Sequence, residues 1–242
     1  MRPILSCLGI LPLLWLSGAQ AGPINWGFSP SDPPPYVAMD NAALKSSLTR
    51  DLGELVADTV ARPVLFIAVP NNRIEEAFEQ GRIDIICNTL PSWHSRPEQL
   101  NWSDVLYEDA DVIATRQADK APTQLNDLTG ALVGTTLGYH YSESLTGAFA
   151  SGQLARHDVR DIETRIRMLE RGRLDATVEM RRPLQHHLLG SSAAIQISTW
   201  EIEHFDMRCA ARPEADRSAG LIDAIHQLLE QGQIHELVKR YE

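Results

Sequence analysis

The chain has 242 residues, enough for one large domain or two connected lobes with a substantial core. Its 22 Lys and Arg stand against 32 Asp and Glu, a net charge of −10, which gives a nucleic-acid or anionic-membrane partner no electrostatic support. Such a charge chiefly keeps the protein soluble.

Met1-Arg2-Pro3, the apolar run Ile4 to Leu16 and Ala19-Gln20-Ala21 before Gly22 read as a secretory leader cleaved after Ala21. The run falls well short of the roughly 20 residues that span a bilayer, and Cys7 lies too near the start for a lipid-attachment cysteine. Export to the periplasm is the expectation. Cys87 and Cys209 then remain in an oxidising compartment, where a disulfide is the default. Each sits in an apolar, strand-like stretch, so two buried thiols are the alternative.

After an Asp- and Pro-rich entry from Ser29 to Tyr36, the residues Leu44, Leu48, Leu52, Leu55 and Val56 recur at helical spacing. They predict a helix from Ala43 to Val60, ended by Arg62-Pro63. Val64 to Val69 is a continuous apolar run and predicts a buried strand. A helix from Asn72 to Gln80 follows, stopped by Gly81 as a C-terminal cap, and Ile83 to Cys87 is the next strand. Asp111 to Thr115 and Leu132 to Thr135 read as further strands. The second runs through Gly138-Tyr139-His140 into a helix from Ser142; such a turn is an ordinary connection and also a candidate anion site, because free N–H groups crowd a helix start. A helix from Ile162 to Arg171, Gly172 and a strand from Leu174 to Val178 repeat the earlier pattern. Gly81-Arg82-Ile83-Asp84 and Gly172-Arg173-Leu174-Asp175 share a Gly-Arg-apolar-Asp motif, which suggests two similar α/β lobes. Leu221 to Tyr241 reads as an amphipathic helix broken at Gly232 and packed back on the first lobe.

Taken in order, Gly81-Arg82-Ile83-Asp84, Trp93-His94-Ser95-Arg96, Asn101 to Tyr107, Leu128-Thr129-Gly130, Val133-Gly134-Thr135 and Gly172 to Asp175 resemble the bacterial extracellular solute-binding family of polar amino-acid ABC importers. The likeness covers essentially the whole chain after the leader. It implies an α/β periplasmic-binding-protein (Venus flytrap) fold, two lobes joined by two hinge strands. Lobe 1 would comprise residues 22–108 and 202–242, lobe 2 residues 112–197, with the hinge near 108–111 and 198–202. It further implies a ligand held between the lobes, with Arg96 gripping its carboxylate and Gly138, Tyr139 and His140 offering N–H groups from the second lobe. Thr89 would add a hydroxyl or backbone contact, and Asn88 and Trp93 would flank the mouth. In this frame a Cys87–Cys209 bridge would stiffen the first lobe beside the site.

The chain departs from the family pattern at three places. The carboxylate that holds a ligand's amino group falls at Met180, with Glu179 one place before it. The stacking aromatic falls at Pro33, with Tyr36 close by, and the threonine of Thr-x-x-Arg is Trp93. These departures point away from an ordinary α-amino acid; with Arg96 present, and Trp93, Tyr139 and Tyr141 to line the cleft, the expected ligand is a small carboxylate-bearing, amino-acid-like or aromatic solute. Its partner would be an inner-membrane ABC permease, or alternatively a membrane receptor in a sensory role, with the binding protein a monomer. An enzyme on the same fold is the rival reading: a dehydratase-like activity needs an arginine clamp and one acid, for which Glu179 is the candidate. Adjacent His186-His187 do not make a zinc-protease pair at i and i+4, and no Gly-x-Ser-x-Gly elbow or phosphate loop occurs. No catalysis, cofactor or metal is expected.

Overall fold

The computed structural model describes residues 22–213 and 217–241, so the expected leader lies outside the described residues. β1 (Ile24–Phe28) leads to a short hairpin of β2 (Met39–Asp40) and β3 (Ala43–Leu44), then α1 (Leu48–Thr59), β4 (Val64–Ala68), α2 (Ile74–Glu79) and β5 (Ile85–Thr89). β6 (Asn101–Trp102) and β7 (Tyr107–Arg116) precede β8 (Leu132–Thr136), α3 (Glu143–Ala150), β9 (Ala155–Val159), α4 (Ile162–Glu170) and β10 (Ala176–Met180). α5 (Arg181–Leu188), the long β11 (Ile195–Ala211), α6 (Leu221–Glu230) and α7 (Gln233–Lys239) follow.

Among the described residues, nine strands form one sheet in the order β4-β1-β5-β11-β7-β10-β8-β9, with β6 on β11. That order contains one unit twice. β1-α1-β4-α2-β5 arranges its parallel strands as β4-β1-β5, and β8-α3-β9-α4-β10 arranges its own as β9-β8-β10. β11 runs antiparallel to β5, and β7 runs antiparallel to β10. The two long strands also pair with each other, from Ile195↔Arg116 to Met207↔Tyr107. This antiparallel ribbon carries the chain from the first unit to the second and back.

The repeated Gly-Arg-apolar-Asp motif has the same local cause in each unit. Gly81 and Gly172 both sit at φ +66° just after a helix, a conformation that costs an L side chain energy. At Gly81 a Cβ would also meet Arg212 Nη1 at 2.6 Å. Each aspartate then caps the start of its unit's central strand: Asp84 Oδ2 accepts from the Asn25 N–H at 2.9 Å, and Asp175 Oδ2 from the Leu132 N–H at 2.8 Å.

Helices cover both faces of both units. Trp26, Leu52, Val56, Ile225, Leu228 and Leu237 pack α1, α6 and α7 on one face of the first, while Val69, Phe78 and Ile83 fill the other. In the second, Leu169, Leu174 and Leu184 form one layer, and Val133, Leu145 and Val178 the opposite one. Successive residues Val112 and Ile113 of β7 enter opposite layers, as strand alternation requires. The C-terminal helices break at Gly232 and dock on the first unit, as expected from the sequence.

Two expectations are corrected. The helix expected from Ala43 begins only at Leu48, behind an Ser47 cap, because Asn41 and Ala42 turn the chain at φ 46° and 68° and put Ala43–Leu44 into a hairpin. β4, expected to be buried, is the edge of the sheet, and Leu65 is 49% exposed there. Cys87 on β5 and Cys209 on neighbouring β11 form a disulfide, which excludes the two-thiol alternative.

Candidate ligand-binding site

The C-terminal ends of β1 and β5 point at the ribbon, and polar residues from both units meet there. Asn88, held at φ 55° on β5, donates through Nδ2 to Thr49 Oγ1 at 2.9 Å, and its Oδ1 accepts from the Tyr107 hydroxyl at 2.6 Å. The positive φ turns a buried amide towards the start of the ribbon rather than along the strand. Tyr36, in the loop after β1, stacks on Tyr107 with ring centroids 6.4 Å apart, and its hydroxyl donates to Asp109 Oδ2. The other oxygen of Asp109 accepts from the N–H groups of Ala110 at 2.7 Å and Arg182 at 3.4 Å. The Arg182 guanidinium, at the start of α5, lies 4.9 Å from the Tyr107 ring centroid. One network therefore joins the first unit, the ribbon and the second unit.

Deeper on the second-unit side, Glu179 at the end of β10 pairs with Arg165 of α4, both buried, and Arg165 also donates to Thr136 Oγ1. Asp111, opposite Met180 on β7, is 1% exposed, and its Oδ1 has no hydrogen-bond partner among the described residues. The Tyr139 hydroxyl is in the same position. Burial, together with the nearby Glu179, Glu203 and Asp109 carboxylates, holds the Asp111 carboxyl well above the usual carboxylate range, with Arg165 pulling the other way. Burial, then Asp111 and Glu179, likewise raise the Tyr139 phenol. Asp109 is raised by burial against its hydrogen bond from Tyr36.

Asp32, in the loop after β1, faces this group from the first unit. Burial pushes its carboxyl up to about 7, against hydrogen bonds from Asn71 and Ser29, and Glu179 of the second unit adds to the rise. The folded protein thus keeps a proton that the unfolded chain loses above about pH 4. The stability it supplies is complete below that pH and is lost as pH rises through 7, at up to about 1.4 kcal/mol per pH unit. Asp32→Asn is expected to flatten the fall in denaturation midpoint between about pH 4 and 7; an unchanged slope would assign the proton to another group.

Of the residues singled out from the sequence, Tyr36, Asn88, Tyr139 and Glu179 belong to this constellation. Thr89 is buried and bonded through Oγ1 to His94 Nε2 at 2.9 Å, while Trp93 stands half-exposed, edge-on to Phe205 at 5.5 Å between centroids. Arg96 is not brought to the site. It pairs with Glu79 at the end of α2 and lines a separate groove with Glu75, Phe78, His94 and Arg212. Because α2 runs back from the ribbon-facing end of the sheet, its last residue lies at the opposite end from Asn88. Glu75, which accepts from both the amide and the hydroxyl of Ser95, folds the loop down onto that helix. The Gly138 turn also differs from an open anion cradle: the Tyr139 N–H donates to the Thr136 carbonyl at 3.2 Å, and α3 starts only at Glu143, behind its own Ser142 cap. His140 is exposed.

Asp32, Tyr107, Asp109, Asp111 and Arg165 are site residues that the sequence reading did not single out; Arg182 it considered, with Arg181, as a source of positive charge in the cleft, a solvated pair being the alternative. Three carried a signal. Asp109 and Asp111 bracket Ala110 at the head of an apolar strand, and Arg165 takes a place on the apolar face that Ile162, Ile166 and Leu169 define on α4.

A family model for bacterial extracellular solute-binding proteins, family 3, matches residues 24–242. The chain belongs to this family. No curated protein matches the sequence. Among solved structures, this solute-binding protein is similar to an ancestral arginine-binding protein bound to arginine, at 20% identity and a TM-score of 0.72 over 91% of this chain and 98% of that one. It is also similar to the L-cystine solute receptor of Neisseria gonorrhoeae in its unliganded open conformation, at 18% identity and a TM-score of 0.65 over 92% and 93%. A third is an ancestral amino-acid-binding protein described as a precursor of cyclohexadienyl dehydratase, at 18% identity and a TM-score of 0.70 over 91% and 95%. At such identities the likeness is one of fold, and it is the periplasmic-binding-protein fold, whose two α/β lobes correspond to the repeated units. Among the described residues no helix is long and apolar enough to cross a membrane.

Proposed function

We propose that this solute-binding protein captures a small amino-acid-like solute in the periplasm and delivers it to an inner-membrane ABC permease. The ligand carries a carboxylate and a cationic group, and the reading is one of binding without a chemical step. One observation carries it. Asp32 and Tyr36 of the first lobe converge with Glu179 and Arg182 of the second on Asp109 and Asp111 of the ribbon. Carboxylates outnumber guanidinium groups in that desolvated space, so a ligand's cation offsets their mutual repulsion. A ligand favours the closed arrangement only through contacts with both lobes, and these are the groups that supply them. Arginine, bound in one of the similar structures, and L-cystine, the solute of another receptor, have both kinds of charge.

We assign the ligand carboxylate to Arg182, which lies over Tyr107 within the constellation, in preference to Arg96, which lines a separate groove away from it. A thermal-shift screen against α-amino acids, dicarboxylates, aromatic acids and amines tests the ligand class. A ligand at about 100 times its dissociation constant adds about 2.7 kcal/mol of stability. Shifts are expected with α-amino acids; a shift with dicarboxylates alone, or none at all, would overturn the reading. With a ligand in hand, Arg182→Ala is expected to cost about 2–5 kcal/mol of binding. Loss of affinity in Arg96→Ala, with Arg182→Ala unaffected, would return the clamp to Arg96.

A further inference from the structure

We propose that the exposed face of the β7–β11 ribbon holds a divalent first-row transition-metal ion between His204, Glu108 and Asp206. In the ribbon's register Asp206 stands opposite Glu108, and His204 opposite Ala110. His204 and Asp206 therefore project on one face of β11, two residues apart, with Glu108 beside them on β7. His204 Nε2 lies 3.6 Å from Asp206 Oδ1 and 3.9 Å from Glu108 Oε2, and one ligand atom from each of the three falls within 4.8 Å of the others. Donors around an ion at about 2.0–2.2 Å sit on the order of 3 Å apart. Three exposed side chains reach that spacing by small rotations, with no movement of the backbone.

Two further features suit a cation. Like charges directly opposite each other on paired strands weaken the pairing, as Glu108 and Asp206 do here, unless a positive charge lies between them. The other imidazole nitrogen is also engaged: His204 Nδ1 lies 3.4 Å from Glu201 Oε2, and Glu201 Oε1 accepts from Arg181 Nη2 at 2.9 Å. An Nδ1–H directed at a carboxylate leaves the Nε2 lone pair facing Glu108 and Asp206, the arrangement that orients a metal-binding histidine. One imidazole and two carboxylates suit Zn²⁺ or Mn²⁺, with water completing the coordination.

The site is separate from the interlobe constellation, because strand alternation puts Asp109 and Phe205 on the buried side of the ribbon and Glu108, His204 and Asp206 on the exposed side. An ion there clamps together the two strands that pass between the lobes.

Calorimetric titration of the untagged, chelator-treated protein with Zn²⁺, and separately with Mn²⁺, tests the proposal. The expected result is one equivalent of at least one of the two ions, with a rise of several degrees in melting temperature. His204→Ala and Glu108→Gln should each weaken binding at least tenfold, and Glu201→Gln about 10- to 100-fold. Melting of each variant in chelator reports that it still folds. Absence of binding, or unchanged affinity in His204→Ala, would overturn the assignment, the latter by placing the ion elsewhere, such as at His186-His187.

Discussion

Arg165→Met is expected to destabilise the protein by about 3–5 kcal/mol, the cost of leaving one member of a buried ion pair without its partner. Arg165 is 1% exposed and reaches across from α4 to Glu179 on β10 and Thr136 on β8. Without the guanidinium, the Glu179 carboxylate stays buried beside Asp111, whose own carboxyl is already forced upward by burial and by its acidic neighbours. The double variant Arg165→Met/Glu179→Met should recover much of the loss, since apolar side chains of similar volume commonly replace a buried pair at little cost. Urea denaturation of the single and double variants decides the point. A single-variant cost under about 1 kcal/mol would mean that the pair does not hold α4 to its sheet.

The disulfide has the second large effect. Cys87 and Cys209 are 122 residues apart in sequence, and the loop they close contains the whole second unit. Chain-entropy reasoning gives about 5 kcal/mol for a loop of that length. Cys87→Ala/Cys209→Ala is expected to lose about that much in guanidinium denaturation. Alanine is the replacement of choice because both positions are buried and a serine hydroxyl there would need a new partner. The unreduced native protein should show no free Cys87 or Cys209 thiol; finding both free would remove the basis of the prediction.

Local causes were legible in the sequence, and tertiary ones were not. The Gly-Arg-apolar-Asp repeat announced the two units because a left-handed glycine and a strand-capping aspartate act within one turn of chain. The helices α4 and α6 followed from apolar spacing, and their ends from Gly172 and Gly232. β11 was read only in part, as the apolar, strand-like stretch around Cys209. Its partners change from β7 to β5 and β6 along its length, and its register shifts between Ile197, Glu201 and Glu203, which blurs the alternation. β9, Ala-Arg-His-Asp-Val on the sheet edge, is too polar to announce itself.

At the site the same division holds. Tyr36, Asn88, Tyr139 and Glu179 were reached through the family resemblance. Asp109 and Asp111 were visible only as the head of a strand, and Arg165 only as a polar break on a helix face. Their meaning comes from Tyr36, Arg182 and Glu179, which lie far away in sequence. Arg96 shows the converse: its motif matches, yet a glutamate 17 residues earlier in the chain, Glu79, determines where the side chain rests.

The first unit is built from two separate stretches of chain, β1 to β5 and the helices α6 and α7, and this bears on its order of assembly. Its core needs Leu221, Ile225, Leu228, Ile234 and Leu237, which follow every strand of the second unit along the chain. The second lobe, from β7 through β11, has all of its strands available before those helices appear. The usual tendency for the N-terminal part of a chain to fold first is therefore reversed. The unit whose parallel strands come first is thus completed last, and one face of its sheet stays incompletely covered until α6 and α7 have been made.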